Sequence, residues 1–193
     1  VECRAEMLQS FGIMGSVYME RVMGIVSPRV GLLNVGTEEG KGGELQHAAF
    51  ALLKHSPIHF IGNVEARDVP GGACDVLVCD GFSGNVVLKL TEGVASSLMG
   101  MVKGIFLSGT AGKLAAVLVQ KKMKGLKRTL DYSEAGGAPL MGVRRPVIKA
   151  HGSSDAKALM NAIYQADRFA QSQAIETITQ AVSHAAGEGR DAE

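Results

Sequence analysis

Apolar side chains recur at helical spacing from residue 5 to 23, through Met7, Leu8, Phe11, Met14, Tyr18 and Val22, and predict a first helix. Pro28 closes the turn that follows, and "RVGLLNVG" (29–36) reads as a short buried strand. The next stretch starts loose and Gly-rich, then regains helical spacing from about Glu44 to His55. "PIHFIGN" (57–63) predicts a second strand and "CDVLVCDG" (74–81) a third. Strands that alternate with helices in this way predict an α/β fold, a parallel sheet covered on both faces.

From about Ser83 to Phe106 the pattern is that of a long helix, which "LSGTAG" (107–112) breaks before a second helix from about Lys113 to Leu130. Two helices joined by a short Gly-containing turn predict a projecting helical hairpin over about 92–130. "YSEAGGAPLMGV" (132–143) reads as a loop with a short strand, and "RPVIKAHG" (145–152) as another strand. "SSDAKALMNAIYQADRF" is a helix with Ser and Asp available to cap it, and a last helix spans about 170–186. One domain over 1–186 with a charged tail at 187–193 is the expected organisation. No run of eighteen apolar residues occurs, so no membrane-spanning helix is predicted.

Composition narrows the class. The 193 residues suffice for a core, 46% are hydrophobic, 20% are charged, and the net charge is +1. That balance speaks for a globular protein and against a nucleic-acid binder. Cys3, Cys74 and Cys79 are an odd number with no metal-like spacing, as reduced thiols would be. The chain opens without Met in what reads as the middle of an element, so it is expected to be a piece of a longer protein.

Candidate chemistry gathers at three polar turns, each between a predicted strand and a helix. They are "NVGTEEGKGGE" (34–44), "CDGFSGN" (79–85) and "AHGSSDA" (150–156). In a parallel sheet the strand C-termini share one edge, and helix N-termini there offer unpaired N–H groups to an anion. The candidate binders are Asn34, Gly36, Gly40 and Gly42 in the first turn, and Asp80, Gly81 and Gly84 in the second. The third offers His151, Gly152, Ser153 and Ser154. Lys41 is a cation among glycines beside such a seat, or a solvated surface lysine. Asn85 is a donor to a substrate carbonyl or part of a cap, and Asp80 orients its turn or merely caps it. "GTEEGKG" misses the P-loop pattern, because three residues separate Gly36 from Gly40 and Gly42 stands where Ser or Thr should be.

"RVGLLNVGTEEGKGGEL", "IHFIGNVEARD", "CDVLVCDGFSGNVVLK", "LDYSEAGGAPLMGV" and "HGSSDAKA" occur in that order. Together they resemble the C-terminal part of the bacterial phosphate acyltransferases of phospholipid synthesis, from Val1 through residue 182. The resemblance implies transfer of an acyl chain from acyl carrier protein to inorganic phosphate, with no cofactor. It implies a Rossmann-like three-layer α/β/α fold similar to phosphotransacetylases and isocitrate dehydrogenases, here lacking its N-terminal half, in a homodimer. Lys41 and Asn85 match the catalytic positions. Gly43 stands where the family resemblance leads one to expect a larger polar residue such as Asn.

The predicted hairpin offers Ile105, Phe106, Leu107, Leu114, Val117 and Leu118, followed by the basic run with Lys121, Lys122 and Lys124. An apolar tip with a basic shoulder suits an anionic membrane surface, and equally suits packing against a partner's hairpin. The implied setting is cytoplasmic and peripherally membrane-associated, handing product to a glycerol-3-phosphate acyltransferase. Two alternatives are a phosphotransacetylase acting on acyl-coenzyme A and a non-catalytic dimerisation and membrane-docking fragment.

Overall fold

A computed structural model describes residues 3–129, 136–152 and 154–188. In chain order its elements are α1 (Ala5–Arg21), β1 (Val30–Asn34), α2 (Glu44–Lys54), β2 (Phe60–Glu65), a 3-10 turn (Ala66–Gly71), β3 (Val76–Val78), α3 (Gly81–Leu107) and α4 (Gly109–Thr129). The two-residue strands β4 (Ala138–Pro139) and β5 (Ile148–Lys149) follow, then α5 (Ala156–Gln171) and α6 (Ala174–Glu188). The chain divides into two compact units. The first holds Val1–Gly84, Pro139–Val147 and Ala166–Glu193, and the second Asn85–Ala138 and Ile148–Gln165.

In the first unit β1 is the central strand of a parallel sheet ordered β2-β1-β3. Side chains alternate across a strand, so Val30 and Leu32 face one way and Gly31 and Leu33 the other. The inner face carries Val30 and Leu32 together with Phe60, Val76 and Val78, and meets Ala5 and Leu8 of α1 and Ala49 and Leu53 of α2. Both helices therefore share one face of the sheet. Close approach explains the small residues of α1: a Cβ at Gly12 would stand 2.6 Å from Leu53 Cδ2, and one at Gly15 2.6 Å from Val76 Cγ1. Among the described residues of this unit no helix packs along the opposite face. The amphipathic pattern predicted that helices would cover the sheet; it carried no information about which face each would choose.

Three further contacts tie this unit together. Arg29, just before β1, donates from its backbone N–H and from Nε to Asp75 Oδ2 at 2.8 and 3.0 Å, and from Nη2 to Asp75 Oδ1 at 3.0 Å. Its remaining donors reach the carbonyls of Ala73 and Gly72, which fixes the start of β3 against the start of β1. The hydrogen bonds from Arg29 hold the Asp75 carboxyl below the usual range, so this clamp weakens as pH falls through that lowered value. At the other end of α1, Tyr18 meets Phe169 edge-on with centroids 5.5 Å apart, and the Arg168 guanidinium donates to the Val22 carbonyl. A cation there also complements the negative end of the helix dipole.

The second unit contains most of α3 and all of α4. The break between them is a single residue, Ser108, shorter than the six-residue interruption expected, because Gly109 at φ +79° turns the chain directly into α4. Gly112 lies against the carbonyls of Ile105 and Phe106 at this corner. Along α3, Val86, Leu90, Val94, Leu98, Met101 and Ile105 form an exposed apolar stripe at spacings of three and four. Continuous over 27 residues, α3 is long and apolar enough to cross a membrane, although Lys89, Glu92 and Lys103 interrupt any purely apolar run.

The core makes a direct prediction. Leu53 is fully buried between α1 and the sheet, and Leu53→Ala should cost about 2–5 kcal/mol of unfolding free energy. Urea denaturation followed by circular dichroism measures it, and a loss near zero would mean that the inner face is not the core.

Candidate active site

The loop after β1 is held by two amide side chains. Asn34 ends β1, where its Oδ1 accepts from the Val35 N–H at 2.8 Å and its Nδ2 donates to the Lys41 carbonyl at 2.9 Å. Asn63, on β2, donates from Nδ2 to the Glu38 carbonyl at 2.7 Å, and the Lys41 N–H donates to that same carbonyl at 3.1 Å. The peptide groups on both sides of Lys41 are thus fixed. Gly42 is required here: its φ is +95°, and a Cβ would stand 2.7 Å from Asn34 Oδ1. The Glu38 carboxylate and the Lys41 stem both lie over Gly36. Glu39 pairs instead with Lys54 at 3.2 Å. Lys41 is exposed, and among the described residues no carboxylate pairs with its ammonium.

The three helix N-termini singled out by the sequence differ in one respect. At α3 the Asp80 carboxylate is itself the cap: Oδ1 accepts from the N–H groups of Phe82 and Ser83 at 2.9 Å each, and Oδ2 from the Ser83 hydroxyl at 2.6 Å. The Asp80 carbonyl takes the Gly84 N–H. The anion seated at "CDGFSGN" is therefore the chain's own. At α5, Asp155 Oδ1 accepts from the Ala158 N–H at 2.8 Å. At α2 the N-cap is Gly43, which has no side chain, and only Gln46 reaches back, accepting the Gly43 N–H at 3.1 Å. Among the described residues no acceptor takes the N–H groups of Glu44 and Leu45. Of the three ends, that of α2 alone has no side chain at its N-cap, and it follows Lys41 by two residues in the chain.

Asn34, Gly36, Gly40, Lys41 and Gly42 thus come together in one loop. Asp80, Gly81 and Gly84 form the capped turn of the same unit. Asn85, His151, Gly152 and Ser154 belong to the second unit, where the Ser154 N–H donates to the His151 carbonyl at 3.0 Å. The Ser154 hydroxyl is buried with no partner among the described residues. Ser153 lies outside the described residues, as do the side chains of Lys121 and Lys124. Gly43 has room for the larger residue expected there, since a Cβ would meet only Gln46 Oε1 at 3.4 Å. Sequence reasoning missed Asn63 altogether, although Gly62 beside it, an isolated glycine inside a strand pattern, was the available signal. Burial pushes the thiols of Cys74 and Cys79 up, so both stay protonated and weakly nucleophilic at neutral pH. Among the described residues no cluster of three or more His, Cys, Asp or Glu is placed to hold a metal ion.

Residues 1–177 match the model of a family described as "Fatty acid synthesis protein". The chain belongs to that family. Three of its relatives, each named phosphate acyltransferase, come from Oceanobacillus iheyensis, Alkaliphilus oremlandii and Geobacillus thermodenitrificans. The first is 54% identical over 182 residues, covering 94% of this chain and 55% of the relative. The second is 52% identical over 182 residues (94% and 54%) and the third 53% over 178 (92% and 54%). The chain spans about half the length of these curated relatives.

For this family member the Asp80 cap is testable by pH. Hydrogen bonds from the Ser83 hydroxyl and backbone, then from Phe82, hold the Asp80 carboxyl below its usual range. A depressed folded value means that its stabilisation is present above the ordinary carboxylate pKa and is lost as pH falls through the folded one. Asp80→Ala should cost about 1 kcal/mol at pH 7, whereas Asp80→Asn, which keeps the acceptor, should lose only the dipole contribution of about 0.3–1 kcal/mol. Thermal melts from pH 7 to pH 2 should show the gap between the parent and the Asn variant closing in acid. A gap independent of pH would contradict the cap.

Proposed function

We propose that the protein to which these residues belong is an acyltransferase that forms acyl phosphate from acyl-[acyl carrier protein] and inorganic phosphate. The observation that carries this reading is the uncapped α2 N-terminus beside the unpaired Lys41, in a chain whose relatives are named phosphate acyltransferase. A phosphate oxygen attacks the thioester carbonyl, the tetrahedral oxyanion collapses, and the C–S bond breaks to release the carrier's thiolate, which is then protonated. Phosphate is already a nucleophile and a thioester is already activated, so alignment and charge stabilisation supply the acceleration without a protein nucleophile. In this reading Lys41 and the first-turn N–H groups of α2 hold the phosphate, and Asn85 positions the acyl group. The Asp80 carboxylate serves as a cap, since a second anion at α3 would meet its charge. The cysteines take no covalent part, and no cofactor is required.

The complete enzyme, on this reading, is a homodimer of the Rossmann-like three-layer kind, in which further chain covers the open face of the sheet. The apolar stripe of α3 and the exposed Leu114, Val117 and Leu118 of α4, followed by Lys122, support contact with a partner copy or with an anionic bilayer on its cytoplasmic side. Such contact would bring acyl phosphate close to a membrane-bound glycerol-3-phosphate acyltransferase.

Activity is tested by incubating palmitoyl-[acyl carrier protein] with phosphate and trapping acyl phosphate with hydroxylamine. Lys41→Ala should lower the rate by about 10²–10³-fold, the usual effect of removing one preorganised donor from an oxyanion site, with unchanged circular dichroism. Equal rates would remove Lys41 from the mechanism, and turnover of palmitoyl-coenzyme A alone would favour a phosphotransacetylase. For the membrane, Lys121→Glu, Lys122→Glu and Lys124→Glu combined should abolish co-sedimentation with phosphatidylglycerol liposomes. Undiminished sedimentation would leave α3 and α4 to a protein partner.

A further inference from the structure

The pairing of β2 with β1 contains an irregularity that no feature of the core demands. Val30 is opposite Phe60, but the next pair is Gly31 with Gly62, so Ile61 is an extra residue. Gly62 has φ +94°, a conformation that side chains other than glycine's rarely adopt, and a Cβ there would meet nothing closer than Phe50 Cε2 at 3.9 Å. Backbone conformation rather than space therefore calls for glycine at this position. Bulges are rare in parallel pairs, and they re-aim a side chain next to a site.

Here the re-aimed side chain is Asn63. Without the bulge Asn63 would pair with Leu33 and share its outer face. With it, Asn63 pairs with Leu32 and faces inward. Only from there does it reach the Glu38 carbonyl, which also receives the Lys41 N–H. Asn63 is 6% exposed, and its Oδ1 is buried with no donor among the described residues. A polar amide half-satisfied in a core opposes folding, and a leucine of similar size would avoid that penalty. Both features, the left-handed glycine and the orphan oxygen, have the same outcome: a donor placed on the loop that carries Lys41.

We propose that Asn63 is a positioning residue that sets the backbone of Lys41 through the Glu38 carbonyl, and that the bulge at Ile61 and Gly62 serves to aim it. The part of this inference that concerns phosphate rests on the acyl phosphate reading above; the part that concerns the loop does not. Asn63 touches no reacting atom, and it acts by holding the Lys41 ammonium and the α2 N-terminus in one arrangement. Loosening that arrangement weakens phosphate binding while leaving the fold intact.

The experiment uses the chain with Asn63→Leu and, as a second variant, Asn63→Ala. Backbone amide exchange by NMR should show Lys41 exchanging at least tenfold faster in both, with Leu32 and Val64 unchanged. The urea midpoint of Asn63→Leu should equal or exceed that of the parent, and KM for inorganic phosphate should rise at least tenfold with a smaller change in kcat. Unchanged exchange at Lys41 overturns the proposal. So does faster exchange spread evenly over β1 and β2 with a lowered midpoint in both variants, the signature of a purely structural role. If the parent forms no acyl phosphate, the proposed function fails for this chain, and the Lys41 exchange rates still decide whether Asn63 clamps the loop.

Discussion

The central strand β1 must satisfy a neighbour on each edge and a core on its inner face at once. Val30 and Leu32 supply the core contacts, β2 and β3 take the two edges, and the Arg29 clamp fixes where β3 begins. With a strand so constrained, the point at which it ends is constrained too. Asn34 is that point, and the loop beyond it inherits its position from the sheet rather than from its own sequence. A Gly-rich loop with no anchors would lose more conformational entropy on ordering than one lysine could recover on binding an anion. Asn34 and Asn63 supply the anchors.

A repeated local motif is put to different uses along this chain. Each of three turns leads into a helix whose first N–H groups need acceptors. Asp80 and Asp155 supply them internally, which stabilises α3 and α5 and removes those ends from competition for an external anion. Gly43 does not, and α2 is left with open donors next to the one lysine of the loop. What distinguishes a binding end from a structural one is thus a missing side chain. Composition, charge and glycine content do not separate the three.

Much of the architecture was legible from the pattern of side chains. The spacing of Met7, Leu8, Met14 and Tyr18 locates α1 to within a few residues, and α2, α3, α5 and α6 lie close to where periodicity puts them. Strand lengths were less legible: β3 is three residues and β5 two, because a strand ends where its neighbour ends, and the neighbour is remote in sequence. The 3-10 turn at Ala66–Gly71 was not anticipated, although Pro70 and the left-handed Gly72 mark it in retrospect. The break after Leu107 was read as longer than it is, since Gly109 and Gly112 look like helix breakers and sit instead in the first turn of α4.

By itself the sequence determined the order of helices and strands, the polar turns between them, and the presence of Lys41 in one and Asp80 in another. These follow from local chemistry: apolar periodicity, β-branched runs, and residues able to cap or to adopt positive φ. Only the tertiary structure decided which face α1 and α2 cover, which helix end remains open, and that Asn63 turns toward the Lys41 loop. The last of these depends on strand register. Register has a period of two residues, and the single extra residue at Ile61 reverses it, so the side to which Asn63 points is set by pairing with a strand some thirty residues away.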